Sequence, residues 1–194
     1  MPTAKNKKTA ATKLKKWKTL DSRPLLKHDR LTVLEDDIQL PDGTKTTYLR
    51  FASSEPSVAI IAINNAFELL VQKEYSYPVN TVMWQLPGGG VEPGEEIERA
   101  ALRELSEESG YSAHNTEILG EFYLDDRRSD RKLYVILCTD LYEHKLTEDP
   151  EEFVEAYWLS RDEVVAKISN GEFAQTHMLA ALNLWFVHAM QRVK

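Results

Sequence analysis

The run Val58-Ala59-Ile60-Ile61-Ala62-Ile63 is continuously apolar, the pattern of a strand buried on both faces. Phe67 to Tyr75 follows after an Asn64-Asn65-Ala66 turn and reads as a second strand, and Met83-Trp84-Gln85-Leu86 as a third. Later, Glu117–Leu124, Leu133–Leu141 and Phe153–Leu159 read as further strands. Helical spacing replaces this at Ile97, Ala101 and Leu105, which line one stripe of a helix that ends at Gly110. Pro93-Gly94 precede that helix, and Glu95, Glu96 and Glu98 place acids in its first turn. Ser160 caps a second helix that stops at Asn170-Gly171. Ala174–Val193 is a final amphipathic helix with Met178, Leu179, Leu182, Trp185, Phe186 and Met190 as its core positions.

Upstream, the pattern is shorter in period. Leu31–Leu34 and Ile38–Leu40 suggest a strand pair broken at Glu35-Asp36-Asp37, with a turn at Pro41-Asp42-Gly43 and a further strand over Thr44–Phe51. Ser54-Glu55-Pro56 marks a boundary. Three segments result: a disordered basic tail over 1–16, a small β layer over 17–56, and a main domain over 57–194. The order of strands and helices in the main domain predicts an α/β fold with a mixed sheet.

Charge sharpens this division. Residues 1–20 hold seven lysines and no acid, while the rest carries seventeen basic and thirty-one acidic side chains, a charge of −14. The tail suits a solvated segment or a contact with nucleic acid or anionic lipid. The single cysteine, Cys138, lies in the run Leu133–Cys138 and reads as a small strand residue. One cysteine excludes an intrachain disulfide framework and fits a reducing, cytoplasmic setting. No apolar run approaches the roughly 20 residues of a membrane span.

The chemistry concentrates in one stretch. Glu104, Glu107 and Glu108 stand three and four residues apart on the Ile97–Gly110 helix and project together. An acidic helix is ordinarily a solvated face, and like charges at i,i+4 repel. A hard divalent cation relieves that repulsion, because Mg²⁺ prefers carboxylate oxygens, water and substrate phosphates.

The stretch Gly89, Glu95, Arg103, Glu104, Leu105, Glu107, Glu108, Gly110 resembles the Nudix box: glycine, five residues, Glu, seven residues, Arg-Glu-aliphatic-x-Glu-Glu-x-Gly-aliphatic, with Tyr111 in the final aliphatic slot. The resemblance implies an α/β/α sandwich and metal-dependent hydrolysis of a phosphoanhydride. It makes Glu107 and Glu108 the principal metal ligands, with Glu104 completing the site and the carbonyl of Gly88 or Gly89 as a further ligand. The metal is Mg²⁺, with Mn²⁺ as the alternative. Arg103 takes a structural part, orienting Glu95 or Glu107.

Outside the box, Trp17 with Leu40-Pro41-Asp42-Gly43, Tyr75-Ser76-Tyr77-Pro78, Trp84–Gly89 and Gly120-Glu121-Phe122-Tyr123 are similar to the ADP-ribose and nucleoside-diphosphate-sugar pyrophosphatase branch. That branch implies ADP-ribose as substrate, a homodimer that exchanges its N-terminal layer, and a glutamate base beyond the box. Glu151 and Glu152 rank above Glu148 for that base. Trp17 either stacks on a nucleobase or packs the start of the β layer. Several departures stand out: Ser76 occupies the place of a diphosphate-binding Arg, Leu86-Pro87-Gly88-Gly89 replaces Leu-Pro-Ala-Gly, and Asp125-Asp126-Arg127 stands where a proline is common. Arg50, Lys73 or the run Arg127, Arg128, Arg131 and Lys132 are the substitutes for the missing Arg. A sanitising hydrolase of damaged nucleotides, a nucleotide sensor without turnover, and RNA processing through the basic tail remain the alternatives.

Overall fold

A computed structural model describes residues 15–144, 146 and 153–192. Most of the basic tail, together with Glu148, Glu151 and Glu152, therefore lies outside the described residues. The chain divides into two compact units, one of residues 1–52 with 127–129, the other of 53–126 with 130–194.

The first unit is an antiparallel sheet in the order β1 (Lys18–His28), β2 (Leu31–Gln39), β3 (Lys45–Phe51). Strand β1 was not expected from the sequence. Its register shifts between Thr19 and Asp21 and between Pro24 and Leu26, so its periodicity is broken and Pro24 is accommodated beside an irregularity. Strand β2 runs unbroken through Glu35-Asp36-Asp37, where a break was expected. The acids have partners: Arg23 pairs with Glu35 and Asp37, and Arg50 and Ser22 bind Asp36. Arg50 and Ser22 hold the buried Asp36 carboxyl below the usual range, Arg50 having the larger effect.

The second unit contains β4 (Ser57–Ala62), β5 (Leu69–Ser76), β6 (Thr81–Gln85), α1 (Ile97–Ser109), β7 (Tyr111–Tyr123), β8 (Lys132–Glu143), β9 (Val154–Leu159), α2 (Arg161–Ser169) and α3 (Thr176–Arg192). The expected single mixed sheet is two three-stranded sheets. One is mixed, β4-β8-β7, with β4 parallel to β8; the other, β6-β5-β9, is antiparallel. Period-two alternation along β4 explains its wholly apolar sequence. Ala59, Ile61 and Ile63 enter one core with Met178, Ala181 and Leu182 of α3. Val58, Ile60 and Ala62 enter another with Ala100, Ala101 and Leu105 of α1. The β4-β8-β7 sheet is thus the filling of an α/β/α sandwich, as the sequence led us to expect.

Ser160 caps α2 through a capping box with Glu163. Gly110 ends α1 in the left-handed region, φ 74°. Strand β7 begins directly after it, earlier than expected, and Tyr111 packs edge-on against Trp158. Met190, expected in the core, is exposed on α3. Cys138 is fully buried on β8, and burial pushes its thiol up to about 12, so it is a packing residue.

Candidate active site

The glycine loop is stitched to the central strand before the helix starts. Val58 N–H donates to Gly89 O (2.9 Å), Ile60 N–H to Pro87 O (2.8 Å), and Val91 N–H to Pro56 O (3.0 Å). Gly88 has φ 151°, and a side chain there would run into the Val58 carbonyl. Gly89 faces the helix: a Cβ would sit 2.5 Å from Glu104 Cδ and 2.7 Å from its Oε2. Glycine at these two positions lets the loop lie between β4 and the carboxylates of α1.

Arg103 organises the acids. Its five N–H groups meet five acceptors: Nε and Nη2 grip Glu95 through both oxygens at 3.0 Å each, Nη1 reaches Glu104 Oε1 (2.9 Å) and Glu107 Oε2 (3.1 Å), and Nη2 also donates to Gly90 O (2.9 Å). The guanidinium pKa is raised, first by the Glu95 hydrogen bonds. Glu95 was expected in the first helical turn. Instead α1 begins at Ile97, and Glu95 precedes it, accepting from Glu92 N–H (2.9 Å) and turned onto Arg103.

Arg103 holds the Glu95 carboxyl below the ordinary range. A depressed carboxylate pKa adds stability that is complete above the unfolded value of about 4.3 and is lost as pH falls through the folded value. Thermal unfolding should therefore show a drop in Tm on acidification below about pH 4. Glu95→Gln should have a lower Tm at neutral pH and a flatter acid limb. An unchanged acid limb in that variant would remove Glu95 from this role.

Glu108 is held differently. Its Oε2 accepts from Gly88 N–H (3.0 Å) and from Gln72 Nε2 (3.2 Å). Glu104 is buried, whereas Glu107 and Glu108 are half-buried at the rim. The donor set is wholly hard oxygen on a rigid helix beside glycyl carbonyls, which suits a small divalent cation. Among the described residues no three His, Cys, Asp or Glu side chains converge into a ready coordination sphere. Arg103 bridges Glu104 and Glu107 and sets one positive charge against these two and Glu95.

Beside the loop lies a cleft of about 230 Å³, bordered by Gly88–Gly90, Ser57, Leu124, Arg131 and His177. Desolvation at the cleft edge lowers the His177 imidazole from its ordinary range, although the residue as a whole is exposed. Sequence reasoning missed His177, since a single polar residue on an amphipathic helix carries no motif.

The remaining expected binding residues have other surroundings. Arg50 binds Asp36 through Nε (2.6 Å) and Nη2 (3.4 Å). Arg127 and Arg128 belong to the first unit, where Tyr48 O–H donates to Arg127 O (2.6 Å) and Arg128 lies over the Tyr48 ring. Trp17 packs edge-on to Tyr48 and is 55% exposed. Lys73 sits over the Trp84 and Tyr157 rings, and Lys132 pairs with Glu121.

The fold sets a carboxylate-bearing helix directly after a glycine loop on an α/β/α sandwich. Residues 53–182 match the NUDIX domain, and the chain belongs to the Nudix family. It is a Nudix hydrolase, of a family that generally uses a divalent metal. Residues 17–48 match the nucleoside diphosphate sugar hydrolase N-terminal domain. The chain is 27% identical to an ADP-ribose pyrophosphatase of Bacillus subtilis over 157 residues, 80% of this chain and 84% of that protein. It is 30% identical to a methanol dehydrogenase activator of Bacillus methanolicus over 158 residues, 80% and 85% respectively. A crystal structure of an ADP compounds hydrolase matches the fold with a TM-score of 0.88 at 22% identity, covering 94% of this chain and 99% of that one. No described helix is long and apolar enough to cross a membrane.

Proposed function

We propose that this chain hydrolyses a nucleoside diphosphate linked to a second moiety, with ADP-ribose as its preferred substrate, giving AMP and ribose 5-phosphate. The pairing of the intact Glu104-Glu107-Glu108 helix with the nucleoside diphosphate sugar hydrolase N-terminal domain carries this reading. The ADP-ribose pyrophosphatase relative, aligned over most of both chains, supports it.

Glu107 and Glu108 are the principal ligands of a Mg²⁺ ion, with Glu104 beside them; Mn²⁺ is the alternative. Gly88 O is the backbone ligand we favour, because Gly89 O already accepts from Val58. The bound cation supplies charge neutralisation at the phosphoryl oxygens. The protein's own part is placement. Arg103 keeps the acids in register, the β4 ladder keeps the loop rigid, and the cleft at Arg131 and His177 receives the group beyond the diphosphate. A guanidinium offers paired donors to phosphate or sugar oxygens, and an imidazole adds a further hydrogen-bonding group. The cleft is smaller than the roughly 300–1,000 Å³ of whole-ligand pockets, so it holds one portion of the substrate. Glu151 and Glu152, ahead of Glu148, are the candidate bases. If single Gln variants at all three keep full activity, the base lies elsewhere.

The N-terminal sheet supports a homodimer. Every residue of β1 is exposed, including the large apolar side chains of Leu20, Leu25 and Leu26, which a second copy of the chain would cover. In light scattering the wild type should run as a dimer, and Leu25→Glu with Leu26→Glu as a monomer. A monomeric wild type would refute the dimer. The single buried cysteine suits a cytoplasmic enzyme.

The substrate assignment is tested by product release from a panel containing ADP-ribose, GDP-mannose, UDP-glucose, NADH, a dinucleoside polyphosphate, and normal and oxidised deoxynucleotides. The highest kcat/KM should fall on ADP-ribose. A preference for oxidised deoxynucleotides would favour the sanitising alternative, and binding without turnover would favour a sensor.

A further inference from the structure

We propose that Gln72 is a positioning residue for Glu108, and that its amide sets the affinity of the carboxylate site for a divalent cation. The inference rests on the metal-binding part assigned to Glu108 above. Strand β5 is buried over Leu69, Leu70, Val71 and Gln72. Leu69 and Val71 enter the core shared with α3, and Leu70 the core shared with α1. Period two places Gln72 beside Leu70, on the face toward α1. An aliphatic residue is what this position calls for, yet a fully buried amide stands there.

The amide does two things at once. Its Nε2 donates to Glu108 Oε2 (3.2 Å), joining Gly88 N–H (3.0 Å) on the same oxygen. Its Oε1 is buried with no hydrogen-bond partner among the described residues. A buried acceptor without a donor is destabilising, so packing alone favours an apolar residue. What the amide returns lies at Glu108. Two neutral N–H donors from separate elements, β5 and the glycine loop, orient the carboxylate, and neither brings a positive charge. Arg103, by contrast, fixes Glu104 and Glu107 with one positive charge that it also shares with Glu95. A neutral amide orients a carboxylate without the competing positive charge that a guanidinium brings, and both donors leave Oε1 of Glu108 aside. Groups that orient a metal's ligands typically alter affinity or activity by about 10–100-fold when removed.

The test is Mn²⁺ titration of the full chain, read as free Mn²⁺ by electron paramagnetic resonance, beside thermal unfolding without metal. Gln72→Met is nearly isosteric and cannot donate; Gln72→Asn keeps the amide but withdraws it by one methylene. Both should bind Mn²⁺ about 10–100-fold more weakly than wild type. Metal-free Gln72→Met should unfold at or above the wild-type Tm, because the orphan acceptor is gone. Wild-type Mn²⁺ affinity in both variants would overturn the proposal. So would weak binding that appears only together with a lowered metal-free Tm, since that is the mark of a purely structural residue. Glu107→Gln separates the two levels. If it binds Mn²⁺ as wild type does, or wild type binds none, the metal assignment itself fails and this inference falls with it.

Discussion

Glu107→Gln and Glu108→Gln are each expected to lower kcat by about three orders of magnitude while leaving the fold intact. Each change is isosteric and removes one negative charge from a carboxylate helix whose packing lies elsewhere, in Ala100, Ala101 and Leu105. Metal-assisted charge stabilisation contributes several kcal/mol to hydrolysis of this kind, and about 4 kcal/mol corresponds to about a thousandfold in rate. Glu107 is the cleaner experiment. Its carboxylate accepts from Arg103, which keeps Glu95 and Glu104 when Glu107 is neutralised. Glu108→Gln also disturbs the contacts with Gly88 and Gln72, so a small stability change accompanies it. The checking measurement is kcat and KM at saturating metal, with Tm measured in parallel. A wild-type kcat in Glu107→Gln would dismantle the site as described.

Gly88→Ala should be the most damaging change in the loop, and its damage should register as stability. The added Cβ falls onto the Val58 carbonyl oxygen and within 3.1 Å of Ala59 Cα, at φ 151°. Backbone cannot yield as a side chain does, so the loop must leave β4 or β4 must shift. Overpacking and strain together are expected to cost about 3 kcal/mol, a fall of roughly 6–12 °C in Tm for a chain of this size. Gly89→Ala should behave differently. Its Cβ meets the Glu104 side chain, which can swing away, so activity is lost with less change in Tm. Thermal unfolding of the two variants side by side distinguishes these outcomes. Equal Tm values for Gly88→Ala and wild type would mean that the loop is not tied to β4.

The elements that could be read from the sequence were those whose pattern is local. Val58–Ile63 announces a doubly buried strand because every residue meets a core, and α1 is announced by its stripe and its box. Ser160 and Gly110 are legible because capping is a matter of a few adjacent residues. What escaped depended on distant partners. Strand β1 is irregular and wholly exposed, so its alternation carries no signal. The acids of β2 look like a break until Arg23 and Arg50 arrive from neighbouring strands. The division into two sheets is decided by which strands pair, as β5 does with β9 from Leu69↔Leu159 to Glu74↔Val154, far apart in sequence. In the site, spacing alone put the three glutamates on one helix, while the partners that hold each of them came from elsewhere in the fold. The grip of Gln72 on Glu108 and the approach of His177 to the loop required the fold.

The most direct test of the account is product analysis with ADP-ribose and purified protein, with Mg²⁺ withheld by chelation and then restored. AMP and ribose 5-phosphate should appear in equal amounts only when the metal is present, and almost none should come from Glu107→Gln under the same conditions. Equal turnover with and without the metal, or an undiminished rate from Glu107→Gln, would contradict it.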